Sequence, residues 1–313
     1  MRERAGPGLQ HTAPLPTSGL CAAPTAARTC RRARRGRRYA QEAGGNLAHT
    51  YHDDRARYFE HQCRVTTDYV IPFLEQSGPL PPEARVLEIG CAEAGVLKAF
   101  LDRGATAVGV DRNAGRLERG KTFLADAVRD GRLTLLHQDA QDLLEHEQFR
   151  SYFDVIVLKD VIEHVEDRPA LLGVMARLLR PGGRVFMSFP PWRMPFGGHQ
   201  QICRSWLLSR FPYLHLLPER AYRRVLTAFS EKPTRIESLM ATYRTGLASA
   251  ELRKIAEGAG YSVLSERLYL LNPMYAYRFG VEARVQAGWV AAQTSLRDFI
   301  TTCAYYTLRP GSQ

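Results

Sequence analysis

A glycine-containing turn followed by an acidic residue carries the strongest chemical signal in the sequence. Segment 86–95 reads VLEIGCAEAG, and Asp111 closes the next apolar segment at 106–110. Gly90 lets the backbone pass close to a ligand where a Cβ would collide. Asp111 is placed so that its carboxylate can accept both hydroxyls of a ribose. Together these residues predict a site for a cofactor that contains adenosine.

The side chains of this turn indicate the charge of that cofactor. A pyrophosphate needs the bare backbone amides of a G-x-G-x-x-G turn, whereas position 92 is alanine and Glu93 would repel an anion. Glu88, just inside the turn, suits a cation better than a phosphate. A positively charged nucleoside without phosphates is therefore favoured, and a nicotinamide dinucleotide, with oxidoreductase activity, stays open as the alternative.

Short strands and helices alternate on both sides of the turn. We predict strands at 85–90, 106–110, 133–137, 153–158 and 184–189, and helices at 51–76, 94–103, 113–130 and 171–179. The alternation indicates a doubly wound α/β fold with a parallel sheet and right-handed crossovers. Ligands of such sheets bind beyond the carboxyl ends of the strands, where the turn and Asp111 lie.

The alternation breaks after residue 190. Residues 191–247 are predicted to form an inserted lid, because long excursions at the carboxyl edge of a sheet usually bind ligands. A helix capped by Ser249 then resumes the pattern. Strands at 261–271 and 299–308 are predicted to form an antiparallel pair, since the segment between them has too little helical pattern for a crossover.

Five blocks of the sequence carry a family resemblance. They are VLEIGCAEAG at 86–95, VGVDRN at 108–113, HQDAQDL at 137–143, FDVIVLKDVIEHVED at 153–167 and LLRPGGRVFMSFP at 178–190. In order and spacing these blocks resemble the class I S-adenosylmethionine-dependent methyltransferases, in particular a small-molecule, type 11-like subgroup. The sequence departs from that pattern at Ala92 and Ala94, where glycines are common.

The resemblance implies a fold, a cofactor and a reaction. The fold is a Rossmann-like methyltransferase domain over residues 49–313, with a seven-stranded, mostly parallel sheet in the order 3-2-1-4-5-7-6 and an antiparallel last strand. The cofactor is S-adenosyl-L-methionine. The reaction is methyl transfer by in-line displacement to an oxygen or carbon atom of a small molecule.

The resemblance also implies which residues hold the cofactor. Glu88, Gly90 and Cys91 are expected at its amino-acid end, Asp111 and Arg112 at the ribose and adenine, Asp139 and Ala140 at the adenine edge, and Lys159 and Asp160 beside the methionine moiety and the methyl group.

Two histidines are candidates for catalysis. His164 is expected near the entrance to the substrate site, and the alternative is a packing residue at a helix start. His199 follows paired glycines after the fifth predicted strand and is the candidate general base for a hydroxyl acceptor. The alternative for His199 is a histidine of a surface loop. His199 and Cys203 are four residues apart, but two ligands do not make a metal site, so no metal is predicted.

The predicted lid is rich in aromatic and basic side chains. The aromatic residues are Trp192, Phe196, Trp206, Phe211, Tyr213, Tyr222 and Phe229, and arginines are interleaved with them. One interpretation is a pocket for a hydrophobic or lipid-like acceptor, with peripheral contact between the arginines and anionic headgroups. The interpretation that we favour is a small core belonging to the lid itself.

Most of the net charge of +11 belongs to the first fifty residues, which hold nine arginines against Glu3 and Glu42. Residues 1–48 are rich in Arg, Ala and Pro, so we predict a disordered tail, and its Arg cluster at 31–38 leaves open a transit peptide or a non-catalytic, RNA-associated role. The charge of the remainder is ordinary, so no nucleic-acid partner is expected.

No apolar run approaches the roughly 20 residues that span a bilayer, so a cytoplasmic protein is expected.

Overall fold

The computed structural model describes residues 54–311, which contain an eight-stranded sheet. The strands are β1 (Arg85–Ile89), β2 (Thr106–Asp111), β3 (Leu133–His137), β4 (Phe153–Lys159), β5 (Leu179–Phe189), β6 (Tyr261–Leu271), β7 (Arg284–Val285) and β8 (Cys303–Pro310). Their order is β3-β2-β1-β4-β5-β8-β6-β7. Strands β1 to β5 pair in parallel, while β8 pairs antiparallel with both β5 and β6. The predicted order is confirmed for the seven longer strands, and the two-residue β7 extends the sheet at one edge.

The central strands are apolar because the sheet is covered on both faces. In β1, Val86 belongs to one apolar core and Leu87 to the other, and both side chains are fully buried. Every residue of β4 except the last, Lys159, is buried. Strands buried on both faces read as near-continuous hydrophobic runs, which is why the sequence located them well.

The helices flank the sheet and also lie in segment 191–247, the predicted lid. They are α1 (Arg55–Val65), α2 (Ile71–Leu74), α3 (Gly95–Leu101), α4 (Ala114–Phe123), α5 (Ala125–Arg129), α6 (Arg168–Leu178), α7 (Trp206–Arg210), α8 (Glu219–Ala228), α9 (Pro233–Arg244), α10 (Ser249–Gly258), α11 (Met274–Arg278), α12 (Gly288–Ala291) and α13 (Arg297–Ile300). Short 3₁₀ turns lie at Glu75–Ser77, Gln141–Glu145, Glu147–Phe149, Ile162–His164, Gln200–Ile202 and Leu214–Leu216.

The first residue of α3, Gly95, allows α1 to lie directly over the start of that helix. A Cβ atom at Gly95 would be 2.6 Å from the carbonyl oxygen of Phe59 and 2.9 Å from Cβ of Gln62, both in α1. No larger residue fits here without moving one helix away from the other. The contact matters for function because α3 begins at the glycine-containing turn, so α1 forms a wall above that turn.

The predicted lid segment has a small core, but only one of its seven named aromatic residues, Tyr222, belongs to that core. The core consists of Cys203, Leu208, Leu214, Tyr222, Leu226, Ile236, Leu239 and Met240. Trp206, Phe211 and Phe229 are instead exposed, Trp206 by 66%. The favoured interpretation, in which these aromatic residues form the core of the lid, therefore holds for Tyr222 but not for the exposed Trp206, Phe211 and Phe229.

Some predicted boundaries were wrong at the amino-terminal helix and at β5. The single helix predicted at 51–76 ends as α1 at Val65 and continues through a π-helical turn, Thr66–Val70, into α2, where Pro72 lacks the N–H needed for a regular ladder. Residues 180–183, predicted as a turn before the fifth strand, form an excursion within β5: Phe153 pairs with Leu179 and Val155 with Arg184.

Two further corrections concern the carboxyl-terminal part. The strand predicted at 299–308 begins at Cys303, because α13 occupies its first residues. Ser249 is not the cap of α10 but its first residue, and its backbone N–H donates to Asp298 at 2.8 Å. Residues 1–48 and the Arg cluster lie outside the described residues. Within 54–311, every helix is too short or too polar to cross a bilayer.

Candidate functional site

A cleft lies where β1 and β4 end, beneath α1. Its walls come from the end of β1, the turn that follows, the start of α3, the end of β4 and one face of α1. The residues that line it are Tyr58, Phe59, Gln62, Glu88, Gly90, Cys91, Ala92, Glu93, Gly95, Val96 and Lys159. Four of the nine residues predicted to hold the cofactor, Glu88, Gly90, Cys91 and Lys159, are therefore brought together in one cleft.

The turn after β1 is held by strand β2. The backbone N–H groups of Gly90 and Cys91 both donate to the carbonyl oxygen of Val110, at 2.8 and 3.0 Å. Asp111 Oδ2 accepts from the N–H of Ala92 at 2.8 Å, and its Oδ1 accepts from the N–H of Asn113 at 2.8 Å. The carboxylate of Asp111 thus organises the turn, and each of its oxygens keeps a lone pair for a further donor.

The turn departs from the family pattern at positions that require an unusual backbone. Gly90, Ala92 and Ala94 all have positive φ angles, of 73°, 53° and 63°. For an alanine this left-handed conformation costs about 1 kcal/mol, which explains why glycines are common here. The two alanines therefore leave the backbone path of the turn intact at a modest cost in stability.

Glu88 presents a buried carboxylate to the cleft. The residue is 3% exposed, and its Oε2 atom has no hydrogen-bond partner in the part of the chain that the structure describes. Burial raises the pKa of Glu88 well above its usual value, and Lys159 opposes that shift. An unsatisfied buried acid is costly unless a ligand supplies a donor or a positive charge.

The expectation that Glu93 would repel a ligand anion was wrong. Its side chain is 1% exposed and is neutralised by arginines: Oε2 accepts from Arg116 at 2.8 Å and Oε1 from Arg119 at 3.3 Å, with Arg55 at 3.8 Å. Burial alone would raise the pKa of Glu93, but Arg116 outweighs it and the pKa is lowered. The backbone gives a better reason to disfavour a pyrophosphate, because Asp111 already occupies the N–H of Ala92.

Lys159 and Asp160 form an ion pair at the end of β4. Nζ of Lys159 donates to Oδ2 of Asp160 at 2.8 Å, and the lysine side chain is almost buried. Burial would lower the pKa of Lys159, but Asp160 more than compensates and raises it. Asp160 has a φ of 58°, and its N–H donates to the carbonyl of Ser188 in β5. The ion pair keeps Lys159 charged. Because Lys159 pairs with Asp160, it does not form an ion pair with Glu88.

The residues predicted around the adenine lie at the ends of β2 and β3. NH1 of Arg112 is 3.9 Å from Oδ2 of Asp139, and both side chains are largely exposed. Asp139 Oδ1 accepts from the N–H of Gln141 at 3.3 Å. Ala140 is buried in the apolar core of one sheet face. The positions of Arg112, Asp139 and Ala140 are compatible with contacts to an adenine ring, and these contacts stay predictions.

The two predicted catalytic histidines come together in space. The rings of His164, at the end of the 3₁₀ turn after β4, and His199, in the loop after β5, are 5.0 Å apart between centroids and inclined by 78°. Burial lowers the pKa of His164, with Asp160 opposing. His199 has a φ of 57°. Thirty-five positions apart in the sequence, the two rings meet because β4 and β5 are neighbours in the sheet.

Sequence reasoning missed several residues of this region. Tyr58, Phe59 and Gln62 of α1 line the cleft, and only the close approach of α1 at Gly95 brings them there. Glu163 was quoted within a motif but given no role. It is buried, and its carboxylate lies close to both catalytic candidates. In the sequence, the only hint of a role for Glu163 was its position next to His164. That position does not show that the side chain of Glu163 is buried.

The cleft fits S-adenosylmethionine. The free oxygen of Glu88 would face the positively charged amino-acid end, and the carboxylate of Asp111 retains lone pairs for ribose hydroxyls. A Cβ atom on Gly90 would lie 2.6 Å from Cγ2 of Val161, so this backbone passes where no side chain fits. A nucleoside that carries cationic charge and no phosphate suits this donor and acceptor set.

Comparison with known proteins agrees with this chemistry. A family described as "Methyltransferase domain" matches residues 57–232, more than half of the chain. The ubiquinone biosynthesis O-methyltransferase of Sodalis glossinidius is 31% identical over 143 residues, which are 44% of this chain and 54% of that protein. The chain spans about half the length of such ubiquinone methyltransferases.

Two matches cover more of the molecule. An uncharacterized methyltransferase of Mycobacterium sp. (strain JLS) is 29% identical over 260 residues, 82% of this chain and 89% of that protein. A crystal structure from Galdieria sulphuraria, assigned as a sarcosine dimethylglycine methyltransferase, has a TM-score of 0.50 at 14% identity, over 78% of this chain and 84% of that one. The second match supports the fold alone. The chain belongs to the class I S-adenosylmethionine-dependent methyltransferases.

Proposed function

We propose that this protein transfers a methyl group from S-adenosylmethionine to a hydroxyl oxygen of a small, largely apolar molecule. The observation that carries the proposal is the unsatisfied, buried carboxylate of Glu88 in a cleft at the carboxyl ends of β1 and β4. Such a group suits a cationic ligand, and the cofactor of this family has a sulfonium and an ammonium group. The nine predicted cofactor residues, Glu88, Gly90, Cys91, Asp111, Arg112, Asp139, Ala140, Lys159 and Asp160, form the proposed binding site.

Bound in this cleft, the cofactor supplies an electrophilic methyl group on sulfur. The protein's main task is placement, because holding two reactants in line can supply several kcal/mol, on the order of 7–11 at best. The turn after β1 and the wall of α1 hold one reactant, and the lid holds the other. A hydroxyl acceptor must lose its proton when it takes up the methyl group, and we assign the acceptance of that proton to His199. His164, whose pKa is lowered by burial, lies beside His199.

The lid supports an apolar acceptor. Exposed aromatic side chains of the lid, with Trp206 at 66% and Phe211 at 53%, lie on the part of the chain that follows His199. The ubiquinone biosynthesis and 27-O-demethylrifamycin SV methyltransferases among the relatives carry names that describe O-methylation. The exposed aromatic side chains favour a hydrophobic acceptor, and the names of these relatives favour methylation at oxygen over methylation at carbon.

The proposal is tested in two steps. Calorimetry with the demethylated product, S-adenosylhomocysteine, should show binding to one site at micromolar levels. Incubation with S-adenosylmethionine labelled in the methyl group and a metabolite extract should then label a small apolar compound. His199→Ala should lower turnover about 100-fold or more with little change in cofactor affinity, whereas His146→Ala, outside the cleft, should change neither. Failure to bind the product would refute the proposed function, and unchanged turnover in His199→Ala would refute the role of that residue.

A further inference from the structure

Three side chains that could ligate a metal ion converge beside the proposed acceptor site. The ligand atoms of Glu163, His164 and His199 all lie within 4.8 Å of one another. Oε1 of Glu163 is 4.0 Å from Nε2 of His164, and the two imidazole rings are 5.0 Å apart. Among residues 54–311 no other group of three such side chains is as compact. The cluster joins two separate loops, those after β4 and after β5.

The carboxylate of Glu163 makes no ion pair with a lysine or arginine among residues 54–311, where Lys159 and Arg168 act on it only at a distance. The residue is 4% exposed, and both of its oxygens are buried without a hydrogen-bond partner among the residues that the structure describes. The nearest basic side chains are committed elsewhere. Lys159 donates to Asp160, and Arg168 donates to the carbonyl oxygens of Ile162 and Thr245. A buried carboxylate without a partner is costly, so this position calls for a proton or a cation.

We propose that Glu163, His164 and His199 bind a divalent transition-metal ion such as Zn²⁺. Two imidazoles and one carboxylate are a ligand set that proteins use for Zn²⁺ and Fe²⁺ sites with open coordination positions. The role of the ion rests on the proposed function: an open position would receive the acceptor oxygen and make its hydroxyl more acidic. The ion would then take over the activation of the hydroxyl that is otherwise assigned to His199.

The geometry requires small movements rather than a new arrangement. Ligands of a tetrahedral Zn²⁺ site lie roughly 3.4 Å apart, because each is about 2.0–2.2 Å from the ion. The three ligand atoms must therefore approach one another by up to about 1.4 Å, starting from separations of up to 4.8 Å. His164 has a side chain that is 44% exposed, and His199 lies in a loop, so their rings can turn while the buried Glu163 stays in place.

The sequence predicted no metal because it offered only His199 and Cys203 as neighbours. Cys203 instead belongs to the core of the lid. The other two ligands, Glu163 and His164, come from the loop after β4, thirty-six and thirty-five positions before His199. Only the parallel pairing of β4 and β5 brings these two loops to the same edge of the sheet.

Metal binding can be measured without any methyl transfer. The full-length protein is stripped with a chelator and dialysed against Zn²⁺, and bound metal is counted by elemental analysis. Co²⁺ serves as a second probe, because its visible absorption reports nitrogen and oxygen ligands. The wild type should bind one ion that Glu163→Gln, His164→Ala and His199→Ala each weaken at least tenfold, while His146→Ala retains it. Binding that survives all three substitutions, or no binding by the wild type, would overturn the proposal.

Turnover separates this proposal from the proposed function. If the site works as inferred, a chelator abolishes methyl transfer, Zn²⁺ or another divalent ion restores it, and calorimetry shows unchanged binding of S-adenosylhomocysteine. Full turnover in a metal-free protein would overturn the metal site and leave the methyltransferase function standing. Absence of S-adenosylhomocysteine binding would instead refute the proposed function. The amount of Zn²⁺ bound after dialysis would then be the test of the metal site.

Discussion

Asp111 provides the sharpest test of how the cofactor is held. Its two oxygens accept the N–H groups of Ala92 and Asn113, each at 2.8 Å, and each oxygen keeps one lone pair for a ribose hydroxyl. Hydrogen bonds to a charged group contribute about 1.5–3 kcal/mol each. Because water replaces part of the loss, we expect Asp111→Ala to weaken binding of S-adenosylhomocysteine by about 3 kcal/mol, roughly 100-fold.

The assay is calorimetric titration of the demethylated product into the wild type and three variants. Asp111→Asn keeps one acceptor oxygen and should lose about tenfold, between the wild type and the alanine variant. Asp126→Ala removes an exposed aspartate that pairs only with Arg129, and it should bind normally. Thermal denaturation of each variant separates loss of affinity from loss of the fold. An affinity of Asp111→Ala within threefold of the wild type would refute the reasoning.

Three further predictions concern stability. Glu93→Gln should lower the free energy of unfolding by about 2 kcal/mol at neutral pH, because the surrounding arginines lose the buried carboxylate that neutralises them. The pKa of Glu93 is lowered in the folded state, so this cost should persist above about pH 4.5 and shrink as the pH falls through the folded pKa. Gly90→Ala should cost about 2 kcal/mol more than Gly131→Ala, since both glycines have φ near 70° but only a Cβ at Gly90 meets Val161. Tyr222→Phe should be neutral or stabilising by up to about 1 kcal/mol, because its buried hydroxyl has no hydrogen-bond partner among the described residues.

Urea unfolding measures all three. A Glu93→Gln cost that does not change between pH 7 and pH 3 would contradict the charge argument. Equal costs for the two glycine variants would show that backbone strain alone matters, and Gly90→Ala combined with Val161→Ala should recover the difference if contact is the cause. A destabilised Tyr222→Phe protein would mean that the hydroxyl has a partner after all.

The sheet and the turn after β1 could be predicted because their signals are local. A buried parallel strand reads as an apolar run, and the positive φ angles of the turn select glycine or small residues within a few positions. Asp111 belongs to the same class, since the end of β2 lies beside the turn in any such sheet. For the strands, the turn after β1 and Asp111, neighbours in space can therefore be inferred from the alternation of strands and helices along the chain.

The features that the sequence did not predict arise from contacts between distant segments. From the sequence, Glu93 was expected to present a negative charge to the ligand, because glutamate is an acidic residue. In the structure, Arg116 and Arg119 of α4 donate to its carboxylate and neutralise that charge. The wall of α1 depends on the absence of a side chain at Gly95. A glycine at a helix start has many uses, so this contact leaves no pattern along the chain.

The contact between Gly90 and Val161 joins the two halves of the site. Gly90 belongs to the turn that holds the cofactor, and Val161 immediately precedes the 3₁₀ turn Ile162–His164 that carries the acceptor-side residues. Asp160 starts that segment with a positive φ and is fixed by the carbonyl of Ser188 in β5. A displacement of the cofactor turn must therefore push on the segment that bears His164. Variants that relax this contact should misplace the acceptor relative to the methyl group and lower turnover even where cofactor affinity is kept, because in-line transfer depends on alignment more than on binding.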